Sequence, residues 1–174
     1  MADRVSEFRE ELVGLLPRLR KFARALAGSR DGAEDLLQSA IERALTRSTA
    51  YDETRRLDSW MFKIMQNLWI DSRRAIAQAP IQDMETPDVQ GEDGREIVES
   101  REELRLVREA FAQLPDEQRA VMALVVLDGA SYAEAAAALD IPIGTVMSRL
   151  ARARASVATR VRGPALLAPL RKHN

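Results

Sequence analysis

The stretch Ser131–Ala155, SYAEAAAALDIPIGTVMSRLARARA, predicts two helices joined by a tight turn. Ser131 and Glu134 have the spacing of a capping box, in which hydroxyl and carboxylate each accept from the other residue's backbone amide, so a helix is expected to begin there. The residue before a proline avoids the α conformation and proline suits the first turn of a helix, so Leu139–Ile141 is the expected turn and Pro142 starts the next helix. The stretch is therefore predicted to be a helix-turn-helix.

The second of these helices is expected to have two chemically different faces. At about 100° per residue, five apolar residues share one face: Ile143, Val146, Leu150, Ala153 and Val157. The opposite face carries hydroxyls and guanidiniums: Thr145, Ser148, Arg149, Arg152, Ser156 and Arg160. Arg154 lies away from this polar face and is expected to pair within the domain.

The polar face has the chemistry of a DNA-reading surface. In the major groove, arginine can bond guanine O6 and N7 together, and hydroxyls can contact phosphates or base edges. Four side chains are the candidates for duplex contact: Thr145, Ser148, Arg149 and Arg152. A solvated basic face on a terminal helix is the alternative.

Composition restricts the fold and the function classes. The 174 residues are rich in helix formers and only 5% aromatic, so we predict an all-α fold of two small helical domains. Cysteine is absent and His173 is the single histidine, which excludes disulfides, thiolate nucleophiles and Cys/His zinc sites. No catalytic set, glycine-rich phosphate loop or ligand-spaced metal cluster is found, so we expect no enzyme, no cofactor and no metal. Without an apolar run of roughly 18 residues or an apolar N-terminus, a cytoplasmic protein with no membrane span is expected.

Charge and turn residues divide the chain. Residues 76–100 include one basic and seven acidic residues, two prolines and two glycines, and they lack helical periodicity. This pattern is typical of a flexible acidic linker. The predicted organisation is a first domain over 1–75, the linker over 76–99, a second domain over 100–162 and a tail over 163–174.

Three or four helices are predicted in the first domain. One is expected over Val5–Leu15, and a second begins near Pro17 and ends at Gly28. Apolar residues at helical spacing predict a third helix from Ala33 and a fourth after the polar segment 48–56.

Both halves of the chain resemble one known family. LDGASYAEAAAALDIPIGTVMSRLARARA resembles region 4 of bacterial extracytoplasmic-function (ECF) sigma factors, and QLPDEQRAVMALVVLDG resembles the start of that region. Upstream, AEDLLQSAIERAL resembles region 2.2, and SWMFKIMQNLWIDSRR resembles regions 2.3 and 2.4. Trp60, Asn67, Asp71 and Arg74 stand where the family pattern leads one to expect them. The resemblance covers nearly all of residues 10–162.

The resemblance implies a sigma factor that binds core RNA polymerase and directs initiation at promoters. Region 4 would read the minus-35 duplex of promoter DNA, and region 2 would open and capture the minus-10 element. Family members are commonly held inactive by an anti-sigma factor wedged between the two domains, so such a partner is also implied.

Residues 51–74 have the composition that single-strand capture needs. Unstacked bases bind aromatic and polar groups while cations follow the backbone, and this segment holds four of the eight aromatics among basic residues. The minus-10 candidates are Tyr51, Arg55, Arg56, Lys63, Asn67 and Arg74. Asn67 matches the family position that reads the minus-10 strand, and the loop 48–56 resembles the one that holds a flipped base. Trp60 shares an apolar stripe and is expected in the core.

Polymerase binding is implied for the helix that precedes this segment. Asp35, Gln38 and Glu42 share a face that its apolar stripe leaves free, and the family docks this face on a coiled coil of the polymerase clamp. Ser39 and Met147 depart from the family pattern, which usually has an acid at the first position and often a cation at the second. A solvated acidic face is the alternative reading of this surface.

Two other functions stay open at this point. A sigma-like mimic would sequester an anti-sigma factor without binding DNA, and it should lack the basic face. A conventional helix-turn-helix regulator would leave residues 33–74 unexplained. Promoter-dependent transcription with core polymerase separates these possibilities.

Overall fold

The computed structural model describes residues 2–52, 54–78 and 98–162, and all regular secondary structure within these ranges is helical. The N-terminal unit consists of α1 (Ala2–Ala27), α2 (Arg30–Thr46), a 3-10 turn (Ser48–Ala50) and α3 (Leu57–Gln78). The C-terminal unit consists of α4 (Val98–Ala112), α5 (Asp116–Met122), a π-helical turn (Ala123–Leu127), α6 (Tyr132–Leu139) and α7 (Ile143–Arg162). The predicted all-α fold is confirmed. Both ends of the predicted linker are helical, whereas residues 79–97 and the tail 163–174 lie outside the described residues.

A single continuous helix, α1, replaces the two helices predicted on either side of Pro17. Proline lacks the amide hydrogen that would bond the carbonyl one turn earlier, that of Val13. Both residues are exposed, so water can satisfy this carbonyl and the helix continues. Leu12 and Leu19 on the other side are buried and hold the two halves of α1 against the same core.

The connection between α1 and α2 is shorter than predicted. Gly28 has φ +75°, a left-handed conformation that ends α1 without the steric penalty of a Cβ. Ser29 then caps α2, because its hydroxyl accepts a hydrogen bond of 3.2 Å from the amide of Gly32. The second helix therefore begins at Arg30, three residues before the predicted start at Ala33.

The two units are packed together rather than separated. α1 packs on α2 and α3, while α5 and the π-helical turn pack on α1 and α6 packs on α3. The buried side chains form one apolar cluster that spans both units; fully buried members include Leu19, Leu26, Met61, Leu124 and Leu139. The two predicted helical domains are both present and share this cluster, because each unit covers apolar surface that the other would expose to water.

The helix-turn-helix prediction agrees closely with the structure. The capping box of Ser131 and Glu134 is present, and Asp140, which follows the last residue of α6, has φ 55° and ψ 51° and turns the chain toward α7. On α7, Val146, Leu150 and Ala153 are buried as predicted. Ile143 is 50% exposed, so its place on the apolar face was wrong. It lies about 50° from the centre of the buried residues on the helical wheel.

Candidate nucleic-acid and polymerase interfaces

The exposed side of α7 carries only part of the predicted DNA-reading set. Ser148 and Arg152 are exposed and Thr145 is half-buried. The side chain of Arg149 is 19% exposed, and its Nη2 lies 2.5 Å from Oε2 of Glu117 on α5. The candidate surface is therefore centred on Ser148 and Arg152, and Arg149 is held at its edge by an ion pair.

Arg154 was expected to form an ion pair within the domain, but Arg149 forms one instead. Arg154 is exposed and has no ion pair with any residue that the structure describes. The difference arises because α5 packs along the flank of α7 on which Arg149 lies and brings Glu117 there. The helical wheel of α7 alone contains no information about this neighbour.

Among the aromatic residues predicted near the minus-10 site, Tyr51 and Trp60 are packed. Their ring centroids are 5.1 Å apart, and both rings contact Phe8 of α1. The hydroxyl of Tyr51 donates a hydrogen bond of 2.6 Å to the carbonyl of Arg55. The packing of Trp60 against the core agrees with its prediction, and Tyr51 fixes the loop before α3 to the same cluster.

Four of the six minus-10 candidates are exposed on the loop and α3, among them Arg56, which is described below. Arg55, Asn67 and Arg74 are all accessible to solvent. Lys63 lies one turn before Asn67 on α3 and is half-buried. A cation and an amide at this spacing can contact the backbone and the base edge of one strand.

The two remaining cations of this set reach across to the C-terminal unit. Arg56 Nη1 donates to Oε1 of Glu134 at 2.9 Å. Lys63 Nζ donates to the carbonyl of Leu139 at 2.9 Å and lies 3.8 Å from a carboxylate oxygen of Asp140. Two of the four cations of the predicted minus-10 surface are therefore in contact with α6 and its C-cap.

The predicted polymerase-binding side chains lie together on α2. Asp35, Gln38 and Glu42 are exposed, and Gln38 Nε2 donates to Glu42 Oε1 at 3.0 Å. Leu37 and Ala40 on the opposite side are buried. Ser39 is also exposed, directly beside Gln38, where a carboxylate would have added a third negative charge to those of Asp35 and Glu42.

A partly buried ion-pair cluster at the junction of the units was not predicted. Arg18 donates to Asp58 at 2.8 Å, and it donates twice to Asp128 from Nε at 3.1 Å and from Nη2 at 2.6 Å. The side chains of Asp58 and Asp128 are only 8% and 6% exposed. Arg18 and Asp128 are 110 residues apart in the chain, so no local pattern could have revealed the contact.

The electrostatics of this cluster favour its charged form. Burial tends to raise the pKa of the Asp58 carboxyl, but hydrogen bonds from Arg56 and Arg18 outweigh it and hold this pKa at about 2. The hydrogen bond to Asp128 is the largest influence on Arg18 and raises the pKa of its guanidinium, against the opposing effect of burial. The Asp58 carboxyl and the Arg18 guanidinium are therefore both charged at neutral pH.

Comparisons with known proteins match both units to sigma-factor domains. The sequence model for Sigma-70 region 4 matches residues 104–157, and the model for the sigma2 domain of PhyR matches residues 12–66. The ECF RNA polymerase sigma factor EcfG of Rhodopseudomonas palustris is 31% identical over 154 residues, which cover 86% of this chain and 82% of that protein. The chain belongs to the ECF RNA polymerase sigma factors.

Other members of this family match over a similar length. The ECF RNA polymerase sigma factor SigW of Bacillus subtilis is 28% identical to this sigma factor, covering 92% of this chain and 88% of that protein. The structure of the sigma factor RpoE in complex with the anti-sigma factor NepR, from Bartonella quintana, superposes with a TM-score of 0.69 at 28% identity. The match covers 91% of this sigma factor and 98% of RpoE. Within the described ranges no helix is long and apolar enough to cross a membrane.

Proposed function

We propose that this sigma factor binds core RNA polymerase through α2, reads the minus-35 duplex with α7, and opens and captures the minus-10 element with α3 and the loop before it. The observation that carries the proposal is the separation of three polar surfaces on one chain. An acidic surface lies on α2, a surface of cations and an amide on α3, and a basic surface on α7. Each has the chemistry of a different partner: protein, single strand and duplex.

The α7 surface supports duplex reading in the major groove. Arg152 is free to form a bidentate contact with guanine, and Ser148 lies one turn before it at the centre of the exposed side. Thr145 and Arg149 lie on the flank toward α5, where a phosphate could compete with Glu117 for the guanidinium. We therefore assign base reading chiefly to Arg152 and backbone contact chiefly to Arg149.

The α3 surface supports capture of an unpaired strand. Asn67 presents an exposed amide that can both donate to and accept from a base edge. Arg55 and Arg74 lie on either side along the loop and helix and can follow the phosphates, while Lys63 can do so only when it leaves α6. The packed Tyr51 keeps the loop in place for an unstacked base.

The surface of α2 supports docking on the polymerase. Asp35, Gln38 and Glu42 form an acidic strip, and the hydrogen bond between Gln38 and Glu42 orders its second half. With Ser39 in the place of a usual acid, Glu42 supplies much of the charge. Substitution of Glu42 with Gln is therefore expected to weaken polymerase binding more than substitution of the exposed Glu10 on α1.

A sigma-like mimic is the second candidate, because the model that matches residues 12–66 is the one built on the sigma2 domain of PhyR. The exposed Arg152 and the cations near α3 favour a DNA-binding sigma factor over a mimic. An anti-sigma factor is a proposed partner in either case, since the RpoE structure contains one.

Transcription in a purified system tests the proposal. Core RNA polymerase plus this chain should give defined transcripts from a promoter selected from a random duplex library, and polymerase alone should not. A mimic would give no transcripts, yet it would restore transcription when added to an inhibited complex of another sigma factor and its anti-sigma factor.

A further inference from the structure

The solvent side of α7 is divided lengthwise into a polar half and an apolar half. At about 100° per residue, Ser148, Arg152 and Thr159 lie on the polar half, and all three are exposed. The other half carries two large apolar side chains one helical turn apart, since Ile143 is 50% exposed and Met147 is 54% exposed. Four small exposed residues continue this apolar half along the helix: Gly144, Ala151, Ala155 and Ala158.

The fold of the chain does not require a glycine at position 144. Gly144 has the helical backbone of α7, and a Cβ on it would meet no atom within 4 Å. Glycine within a helix is less stable than alanine, and it is favoured where another molecule comes close to the backbone. The first turn of α7 therefore offers room for a close approach beside Met147.

The charge of α7 indicates which kind of molecule covers the apolar half. The helix contains five arginines and no acidic residue. Arg152 lies on the polar half and Arg154 at the outer edge of the apolar half, and both are exposed. Cations on both sides of an exposed helix suit the phosphates of a duplex, whose major groove is about 12 Å wide and encloses a whole helix. The apolar half would then face base edges, as the polar half does.

Among the groups that base pairs present in the major groove, the apolar one is the methyl group of thymine. Met147 has no hydrogen-bond donor and only a weakly accepting sulfur, so against any other base edge it would leave polar atoms without partners. We propose that Met147 recognises a thymine methyl group in the minus-35 duplex, while Gly144 and Ala151 leave space for the base edge. This inference rests on the proposed function of α7.

The spacing along α7 predicts where this thymine lies. Met147 and Arg152 are five residues apart, which is about 7.5 Å along the helix axis. Successive base pairs are about 3.4 Å apart, so a helix lying along the groove places the two contacts about two base pairs apart. The preferred duplex is therefore expected to combine a G·C pair bound by Arg152 with an A·T pair bound by Met147.

Replacement of thymine with deoxyuridine tests the contact, because it removes the methyl group and leaves every hydrogen-bonding group in place. A minus-35 duplex is selected from a random library with the full chain, and its thymines are replaced one at a time. Affinities are measured by fluorescence anisotropy. At one thymine, wild type should bind the deoxyuridine duplex roughly fourfold more weakly, as expected for one methyl group removed from the interface.

Variants at position 147 assign this loss to the methionine. Met147→Ala should bind the thymine and deoxyuridine duplexes equally well, whereas Met147→Leu keeps an apolar side chain and should keep the discrimination. The matched control is Val13→Ala, which shortens an apolar side chain that is 62% exposed on α1. It should show the same loss at the same thymine as wild type. Both substituted positions are exposed, and circular dichroism checks that helicity is retained.

The outcomes separate the inference from the function on which it rests. If no duplex is preferred over the random library, the minus-35 assignment of α7 fails. A selected duplex that depends on Arg152 but tolerates every deoxyuridine overturns the methyl contact alone, and so does a deoxyuridine effect that persists in Met147→Ala. If Met147→Ala keeps the discrimination but loses transcription with core polymerase, the apolar half binds protein, and the methyl contact is again overturned.

Discussion

The guanidinium of Arg119 donates a hydrogen bond of 2.7 Å to the backbone carbonyl of Leu26. Arg119 belongs to α5 and Leu26 to the last turn of α1, so a side chain of the C-terminal unit caps the first helix of the N-terminal unit. The same guanidinium binds the carbonyl of Leu114 at 2.9 Å, and the residue is only 7% exposed. Burial lowers the pKa of the Arg119 guanidinium, because a charge that is kept away from water in the interface costs free energy.

Substitution of Arg119 with alanine is expected to destabilise the whole chain. It leaves buried carbonyls without donors and opens a cavity at the junction, and each unsatisfied buried carbonyl costs about 1–3 kcal/mol. We expect a loss of about 3 kcal/mol or more in the free energy of unfolding, measured by urea denaturation. Arg108→Ala, at an exposed position on α4, is the matched control and should change stability by less than about 0.5 kcal/mol. Equal effects of the two substitutions would contradict the capping role.

The exposed Arg152 is expected to carry sequence reading by α7. Arg152→Ala should weaken binding of a selected minus-35 duplex by about 1–3 kcal/mol and relax the preference at one base pair. Arg154→Ala removes the same charge from the opposite side of the same helix, so it should leave that preference intact. Fluorescence anisotropy with the selected duplex and its single-base variants measures both. A similar loss of preference in the two variants would show that the effect is only electrostatic.

Asn67 is expected to act after duplex binding. In complex with core polymerase, Asn67→Ala should reduce open-complex formation and discrimination among minus-10 variants, because an unstacked base loses a donor and an acceptor. Binding of the minus-35 duplex should not change. Permanganate reactivity of unpaired thymines on the selected promoter reports the opening. Gln78→Ala, near the end of the same helix, is the control; wild-type reactivity in Asn67→Ala would place the reading elsewhere in the loop.

Acid should destabilise the folded chain through Asp58. Its pKa is about 2 in the folded chain against an ordinary value of 3.8. A carboxyl whose pKa is depressed by folding stabilises the fold above the unfolded pKa, and this contribution is lost as the pH falls toward the folded value. Between about pH 4 and pH 2, Asp58 should therefore account for about 1–2 kcal/mol of lost stability.

The contribution of Asp58 can be isolated with a matched pair of variants. Urea denaturation at several pH values should show a shallower acid dependence in Asp58→Asn than in wild type. Asp71→Asn removes an exposed carboxyl from the same helix and serves as the matched control. An unchanged acid dependence in Asp58→Asn would mean that other carboxylates dominate the window.

Local chemistry was enough to predict α6 and α7. A capping box, a proline and a run of apolar residues at helical spacing act within a few residues of each other, so their outcome depends little on the rest of the chain. Pro17 shows the limit of this approach. The effect of Pro17 on α1 depends on whether the backbone carbonyl that it leaves without a donor faces water or protein. That depends on which side of α1 packs against the core.

The sequence by itself determined the all-α fold, the helix-turn-helix, the family and the residue types available for DNA and polymerase. Only the tertiary structure decided which of those residues are paired with other parts of the chain and which are accessible to a partner. Arg149 is paired with Glu117, Lys63 and Arg56 hold α6, and Arg18 bridges two carboxylates from opposite units. The physical reason is that a helix's periodicity fixes the side from which a side chain projects, whereas its partner is set by packing between segments as much as 110 residues apart in the chain.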